Sequence, residues 1–169
     1  MFLLRYALSL LLLLALGSSR PPKPAPIRWV APQALADSLR VRPRPVLVFV
    51  HTTWCRYCKL QELSTFRNPD VVRRLNAGYY AVALDAESRA PIAFGGKTYQ
   101  FQATGPDTGI HALALLLARD EHGQTAYPTT VLLDQQLRVR GRWTGLLKPT
   151  GLLAALTQQA RETAPVPGR

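Results

Sequence analysis

Cysteine is nearly absent from this chain, with two residues in 169. A small exported fold stapled by disulfides uses four or more, so the pair is not a structural framework. A bridge between two cysteines this close constrains the unfolded chain very little, which favours a chemical role over a structural one. No cysteine follows the N-terminal apolar block, which excludes a lipid anchor on cysteine. Beyond that block no apolar run approaches the roughly 20 residues needed to cross a bilayer, and no internal repeat is present. Acidic residues are scarce too, 10 against 21 Lys and Arg, for a net charge of +11 at pH 7.

Such an excess raises nucleic acid as a partner. Against that, Arg20, Lys23, Arg28, Arg40, Arg42 and Arg44 crowd one exposed N-terminal segment, and the positive, apolar and small-residue order of residues 1–19 reads as an export signal, a route that seldom meets nucleic acid. No nucleic-acid partner is expected. Arg138, Arg140 and Arg142 alternate with Val139, Gly141 and Trp143. In a strand that spacing puts the three arginines on one face, read here as solvated, with anionic membrane surface or acidic partners as its candidates.

What is present divides cleanly. Met1 to Arg5 are short and positive, Tyr6 to Leu16 are apolar and leucine-rich, and Gly17-Ser18-Ser19 are small. Residues 1–19 therefore read as a secretory signal peptide, with an uncleaved membrane anchor as the alternative. Export places the cysteines where disulfides persist. Residues 20–44 read as a Pro/Arg-rich linker followed by a short edge strand at 27–30 and a helix at 32–39. Residues 45–161 form the main domain, with an insertion at about 88–124, and residues 162–169 a tail. The hydrophobic content of 47% is enough for a real core.

Within the domain, Val46 to Val50 are continuous and largely β-branched, which predicts a central strand buried on both faces. A helix is predicted over 55–66, with Leu60, Leu63 and Phe66 as its apolar positions and Lys59, Gln61, Glu62 and Ser64 turned to water or to the site. Asn68-Pro69 predicts the start of another helix, to about Leu75. A strand at 79–84 ends at Asp85. Residues 92–101 predict a hairpin turning at Gly95-Gly96, residues 104–109 a loop, and 110–119 a buried helix. Strands at 129–133 and 137–143 flank a turn, and a helix covers 148–160. The order indicates an α/β sheet with helices on both faces.

The chemistry sits at Trp54-Cys55-Arg56-Tyr57-Cys58, directly after the first strand. Cysteines three positions apart at a helix start suit thiol–disulfide exchange, because the helix N-terminus stabilises a thiolate and the second sulfur is near enough to close a disulfide. Cys55 is the proposed attacker and Cys58, one turn inward, the resolving thiol. Arg56 adds positive charge. Tyr57 offers a hydroxyl or packs against the partner, and Trp54 covers the edge of the site.

These residues, with Lys59, with Tyr127-Pro128-Thr129 and with Gly145 before the last helix, resemble the thioredoxin family. The run from Cys58 through Glu62 to Phe66, Asn68-Pro69 and Val71 is similar to the exported branch that includes periplasmic thiol:disulfide interchange proteins. The resemblance spans roughly residues 44 to 157. It implies a thioredoxin fold: a central mixed β-sheet with helices on both faces, here carrying an inserted hairpin and helix. It also implies a cis bond before Pro128, beside the cysteines, with Tyr127 offering its backbone to an extended partner chain. Protein thiols and disulfides are the implied partners, with a membrane electron donor keeping a reductase or isomerase reduced. The implied location is periplasmic or otherwise extracytoplasmic, and no cofactor is expected.

Two departures from the family stand out. Its buried acid six residues before the first cysteine is Phe49 here, which leaves Glu62, four residues after Cys58 and on one helix face with it, as either a replacement proton acceptor or a solvated glutamate. Residues 86–127 are also about twice the length a minimal member needs, so they either shape partner choice or extend the core. The Arg-Tyr pair between the cysteines matches neither the family's reducing nor its oxidising extreme. Two other readings remain open. His51, Cys55 and Cys58 with His111 or His122 have zinc or copper ligand types, and the fold also serves as a non-catalytic binding module.

Overall fold

The computed structural model describes residues 25–163. The signal-peptide reading, residues 20–24 of the linker and residues 164–169 of the tail lie outside the described residues.

The first strand, β1 (Val46–His51), sits inside a four-stranded sheet. Its neighbours are β2 (Tyr80–Asp85), which runs parallel, and β7 (Thr129–Leu133), which runs antiparallel. β8 (Val139–Thr144) pairs antiparallel with β7 at the edge, giving the order β2-β1-β7-β8. Successive side chains of a strand point to opposite faces, and β1 uses both. Leu47 and Phe49 pack with Cys55, Cys58, Phe66, Leu75, Leu132 and Leu156. Val46, Val48 and Val50 pack with Leu35, Val82, Leu84, Val131 and Leu133 on the other side. Each large apolar side chain so buried contributes roughly 1.5–3 kcal/mol.

Helices cover both faces. α1 (Leu35–Val41) follows a 3-10 turn at Pro32–Ala34. α2 (Arg56–Leu63) runs directly after the β1 loop and ends in a second 3-10 turn, Thr65–Arg67. α3 (Pro69–Gly78) begins as the sequence predicts, with the Asn68 side chain accepting from the Asp70 and Val71 N–H groups. The last helix, α5 (Pro149–Thr163), carries Leu152 and Leu156 into the first core.

The insertion is two hairpins and a helix. β3 (Ile92–Phe94) and β4 (Lys97–Tyr99) turn at Gly95-Gly96, both with positive φ, which glycine adopts without strain. β5 (Phe101–Ala103) then pairs with β6 (Gly109–His111). This pairing shortens the predicted 110–119 helix, because α4 spans only Ala112–Ala118. A Cβ on Gly109 would lie 2.4 Å from the Gln102 carbonyl oxygen, so only glycine lets the two strands close. Ile92, Phe94, Leu113 and Leu117 complete the second core. The insertion thus extends the core over the face opposite α2.

Two further expectations are corrected. The strand expected at 27–30 is a single bridge, with the Val30 N–H donating to the Ala81 carbonyl at 2.8 Å. Pro26 and Pro32 bracket it, and the Arg28 N–H turns away to the Asn76 side chain. Arg138, Arg140 and Arg142 do not share a face: Arg138 precedes β8, and the two inside it point opposite ways. Leu132 pairs with Gly141 but Leu133 with Val139, so Arg140 is an extra residue in a bulge. Arg140 lines a small cavity with Trp143 and Gln158 of α5, while the Arg142 guanidinium donates to the Leu117 carbonyl of α4 on the other face.

Candidate active site

α2 starts at the carboxyl end of β1, and Cys55 is its N-cap residue. The Cys55 Sγ accepts the Cys58 backbone N–H at 3.1 Å. That is an N-cap made by sulfur: an unpaired donor at the positive end of the helix is aimed at the atom that must carry charge. Cys55 and Cys58 form a disulfide, with their Cα atoms 5.2 Å apart. Cys58 is 1% exposed and Cys55 7%. Both are therefore buried, with Cys55 the less deeply buried of the two.

The surface around the disulfide is apolar and accessible. Trp54 and Tyr57 are 66% and 65% exposed. Trp54 donates its indole N–H to Glu87 at 3.0 Å and meets Tyr127 edge-on, ring centres 6.4 Å apart. Arg56 is exposed. The Tyr127–Pro128 peptide bond is cis, Pro128 is buried, and its carbonyl accepts the Gly145 N–H at 2.7 Å. Tyr127 packs against the core that contains both cysteines, and its buried hydroxyl has no hydrogen-bond partner among the described residues. Burial, reinforced by the nearby Glu87 and Asp85 carboxylates, pushes that hydroxyl's pKa up.

The face of α2 is the main correction to the sequence reading. Leu60 and Leu63 are both 47% exposed, while Gln61 is fully buried. Gln61 donates to Thr130 Oγ1 at 2.8 Å and accepts the Leu147 N–H at 2.9 Å. Thr65 donates to the Leu147 carbonyl at 2.7 Å. The sealed Cys58 explains the rotation: positions 58, 61 and 65 follow the three- and four-residue spacing of one helix face, and that face looks inward. The apolar residues left outside form, with Arg56, Tyr57 and Lys59, a groove of about 540 Å³ beside the cysteines.

Phe49 fills the position of the family's buried acid. It stacks on His51 and meets Phe66 edge-on. Glu62 does not enter that space. It pairs with Lys59 at 3.0 Å, its side chain 36% exposed. Asp134, in the distant β7–β8 turn, is the one buried carboxylate among the described residues. The metal-ligand set is not assembled either: no group of three or more His, Cys, Asp or Glu side chains able to hold an ion is found among the described residues. His111 caps α4, accepting the Leu113 N–H at 3.2 Å, and His122 lies in an exposed loop beside Glu121.

A strand, a cysteine-capped helix carrying a second buried sulfur, and a proline loop beside them define a thiol–disulfide oxidoreductase. The thioredoxin-like domain family model matches residues 33–160, and the chain belongs to that family. No curated protein matches its sequence. Among solved structures it is similar to a thioredoxin from Thermus thermophilus, at 22% identity over 80% of this chain and 88% of that one, with a TM-score of 0.56. It is similar in fold to the oxidoreductase DsbH, at 12% identity over 88% and 94% of the two chains, TM-score 0.52. A thioredoxin-fold protein from Helicobacter pylori matches at 17% identity over 73% and 75%, TM-score 0.52.

Proposed function

We propose that this protein is an exported member of the family that reduces or isomerises disulfides in other proteins and is kept reduced by a membrane electron donor. The observation that carries the reading is the Cys55–Cys58 disulfide at the N-cap of α2, with Cys58 the deeper sulfur. In the reduced protein the Cys55 thiolate attacks one sulfur of a substrate cystine, forming a mixed disulfide and expelling the other substrate sulfur as a thiolate. Cys58, once deprotonated, attacks Cys55 Sγ. The Cys55–Cys58 bond closes, the second substrate sulfur leaves, and the two protons lost by the enzyme thiols end on the substrate. Two electrons pass to the substrate and must be restored by the donor.

A protein substrate is supported by the exposed side chains of Tyr57, Leu60 and Leu63 lining the groove and by exposed Trp54. A small thiol would need none of them. The cis-proline loop offers the Tyr127 backbone to an extended chain, as the family resemblance implies. The reducing direction rests on the sequence resemblance to the exported branch of the family. Export is supported by the apolar block at Tyr6 to Leu16.

The test is a pair of variants in the exporting cell. Cys58→Ser accumulates mixed disulfides with substrate proteins, and Cys55→Ser accumulates none and is inactive in insulin reduction. Equal trapping by both variants overturns the assignment of roles. Equilibration of the wild type with glutathione should give a potential below about −200 mV, and a value near about −120 mV reverses the proposed direction.

A further inference from the structure

The amino ends of β1 and β2 form the pole opposite the cysteines, about 20 Å away along six strand residues. Arg28, Arg42 and Arg44 line one pocket there, of about 340 Å³, with Val30, Asn76, Tyr79 and Tyr80. The Arg28 and Arg44 side chains have local partners, and so does the Arg42 backbone. Arg28 donates through its guanidinium to the Asn76 carbonyl. Arg44 lies over the Tyr80 ring, 5.7 Å from its centre. The Arg42 carbonyl accepts the Tyr80 hydroxyl at 3.0 Å. No carboxylate lines the pocket, and none of the three arginines is in an ion pair among the described residues. Four arginines elsewhere pair with acids, Arg40 with Asp37, Arg73 with Asp70, and Arg138 and Arg140 with Asp134, while others such as Arg56 and Arg67 stand apart from this pocket without an ion pair among the described residues. Three arginines lining one pocket that has no carboxylate create a focused positive potential. Guanidinium forks match phosphate oxygens in geometry as well as charge.

We propose that this pocket binds the phosphate of an anionic lipid headgroup, so that the protein sits on a membrane by this pole with its cysteines facing away. Two features favour a lipid over a soluble phosphate. One is Val41, next to Arg42, which is 86% exposed. Basic residues beside an exposed aliphatic side chain suit the boundary between headgroups and acyl chains. The second is the point where the chain enters the fold. The Pro26 carbonyl accepts the Asn76 side-chain N–H at 3.0 Å, so the sequence that carries the apolar block, Arg20 and Lys23 joins the domain at the wall of this pocket. The inference is independent of the redox reading.

The full chain is sedimented with vesicles of phosphatidylcholine alone and of phosphatidylcholine mixed with phosphatidylglycerol, and the ratio of the two affinities is read. Any contribution from the apolar block is common to both vesicles and cancels. Neutralising R28Q/R42Q/R44Q should lower the anionic preference by about 100-fold, roughly fivefold per arginine at a membrane surface. R28K/R42K/R44K should retain most of it, which separates lost charge from lost structure. K97Q/R119Q/R161Q removes the same net charge elsewhere and should cost less than about fivefold in all. Equal losses in the two glutamine sets would reduce the effect to bulk charge and overturn the site. Saturable stabilisation by inorganic phosphate with no preference for anionic vesicles would make this a soluble-phosphate pocket and overturn the membrane assignment.

Discussion

Gln61 is a polar residue doing the work of a core side chain. Its amide ties α2 to β7 through Thr130 and to the loop before α5 through Leu147, so the helix that carries both cysteines is held from behind by directional bonds. Gln61→Ala leaves the Leu147 N–H unpaired and opens a cavity, and should destabilise the fold by about 2–4 kcal/mol, read from urea unfolding midpoints. Tyr127 has the opposite sign. Its hydroxyl is buried with no partner among the described residues, so Tyr127→Phe should raise stability by about 1 kcal/mol. Burial also keeps that hydroxyl protonated above the usual 10. The unfolded chain therefore loses the proton first as pH rises, and stability falls from about pH 10 through the folded-state value. The phenylalanine variant should lack that part of the alkaline loss in chemical denaturation between pH 9 and about pH 11.

At the scale of elements, β1 and the cysteine-capped helix were legible because their signals are local: a continuous β-branched run, and two sulfurs three positions apart at a strand end. The Gly95-Gly96 turn and the Asn68-Pro69 start were legible for the same reason. The face of α2 was not. Leu60, Leu63 and Phe66 recur with helical spacing, and apolar count alone selects them, although the resolving role proposed for Cys58 would place the 58–61–65 face inward. The start of α4 was hidden by His111, which closes β6 and caps the helix at once. Its Nδ1 accepts the Leu113 N–H while Nε2 lies 3.1 Å from the Ala90 carbonyl, so the neutral Nε2–H tautomer fits. Burial holds its pKa below the ordinary 6.5, opposed by backbone bonds to Ala90 and Tyr99. As pH falls below about 6.5 the unfolded chain takes the proton first, and stability is lost. Protonated Nδ1 can no longer accept. The Leu113 amide should then exchange with deuterium faster at pH 5 than its intrinsic rate predicts, and His111→Asn, which caps without titrating, should remove the difference.

For the whole molecule, acid resistance is concentrated at one turn. Burial opposes the charge on Asp134, but the Arg138 N–H, the Arg138 and Arg140 guanidinium groups and the Gln136 N–H outweigh it and hold its carboxyl at about 2. That depression contributes about 2 kcal/mol at neutral pH. It is fully present above pH 4 and lost as the pH falls to about 2. Asp134→Asn should therefore be less stable than the wild type by this amount at pH 7, and the gap should close near pH 2 in matched thermal or urea melts.

The bulge that seats Arg140 beside this carboxylate has a further effect on the molecule in a crowd. A sheet of four strands ends in two open ladders, each a template on which another chain can grow. The Trp29–Val30 bridge occupies the β2 side. The β8 side is kinked out of register and flanked by bulky cations that project to both faces. Concentrated protein should stay dispersed, and straightening that strand by deleting Arg140 would give fibrils a place to start.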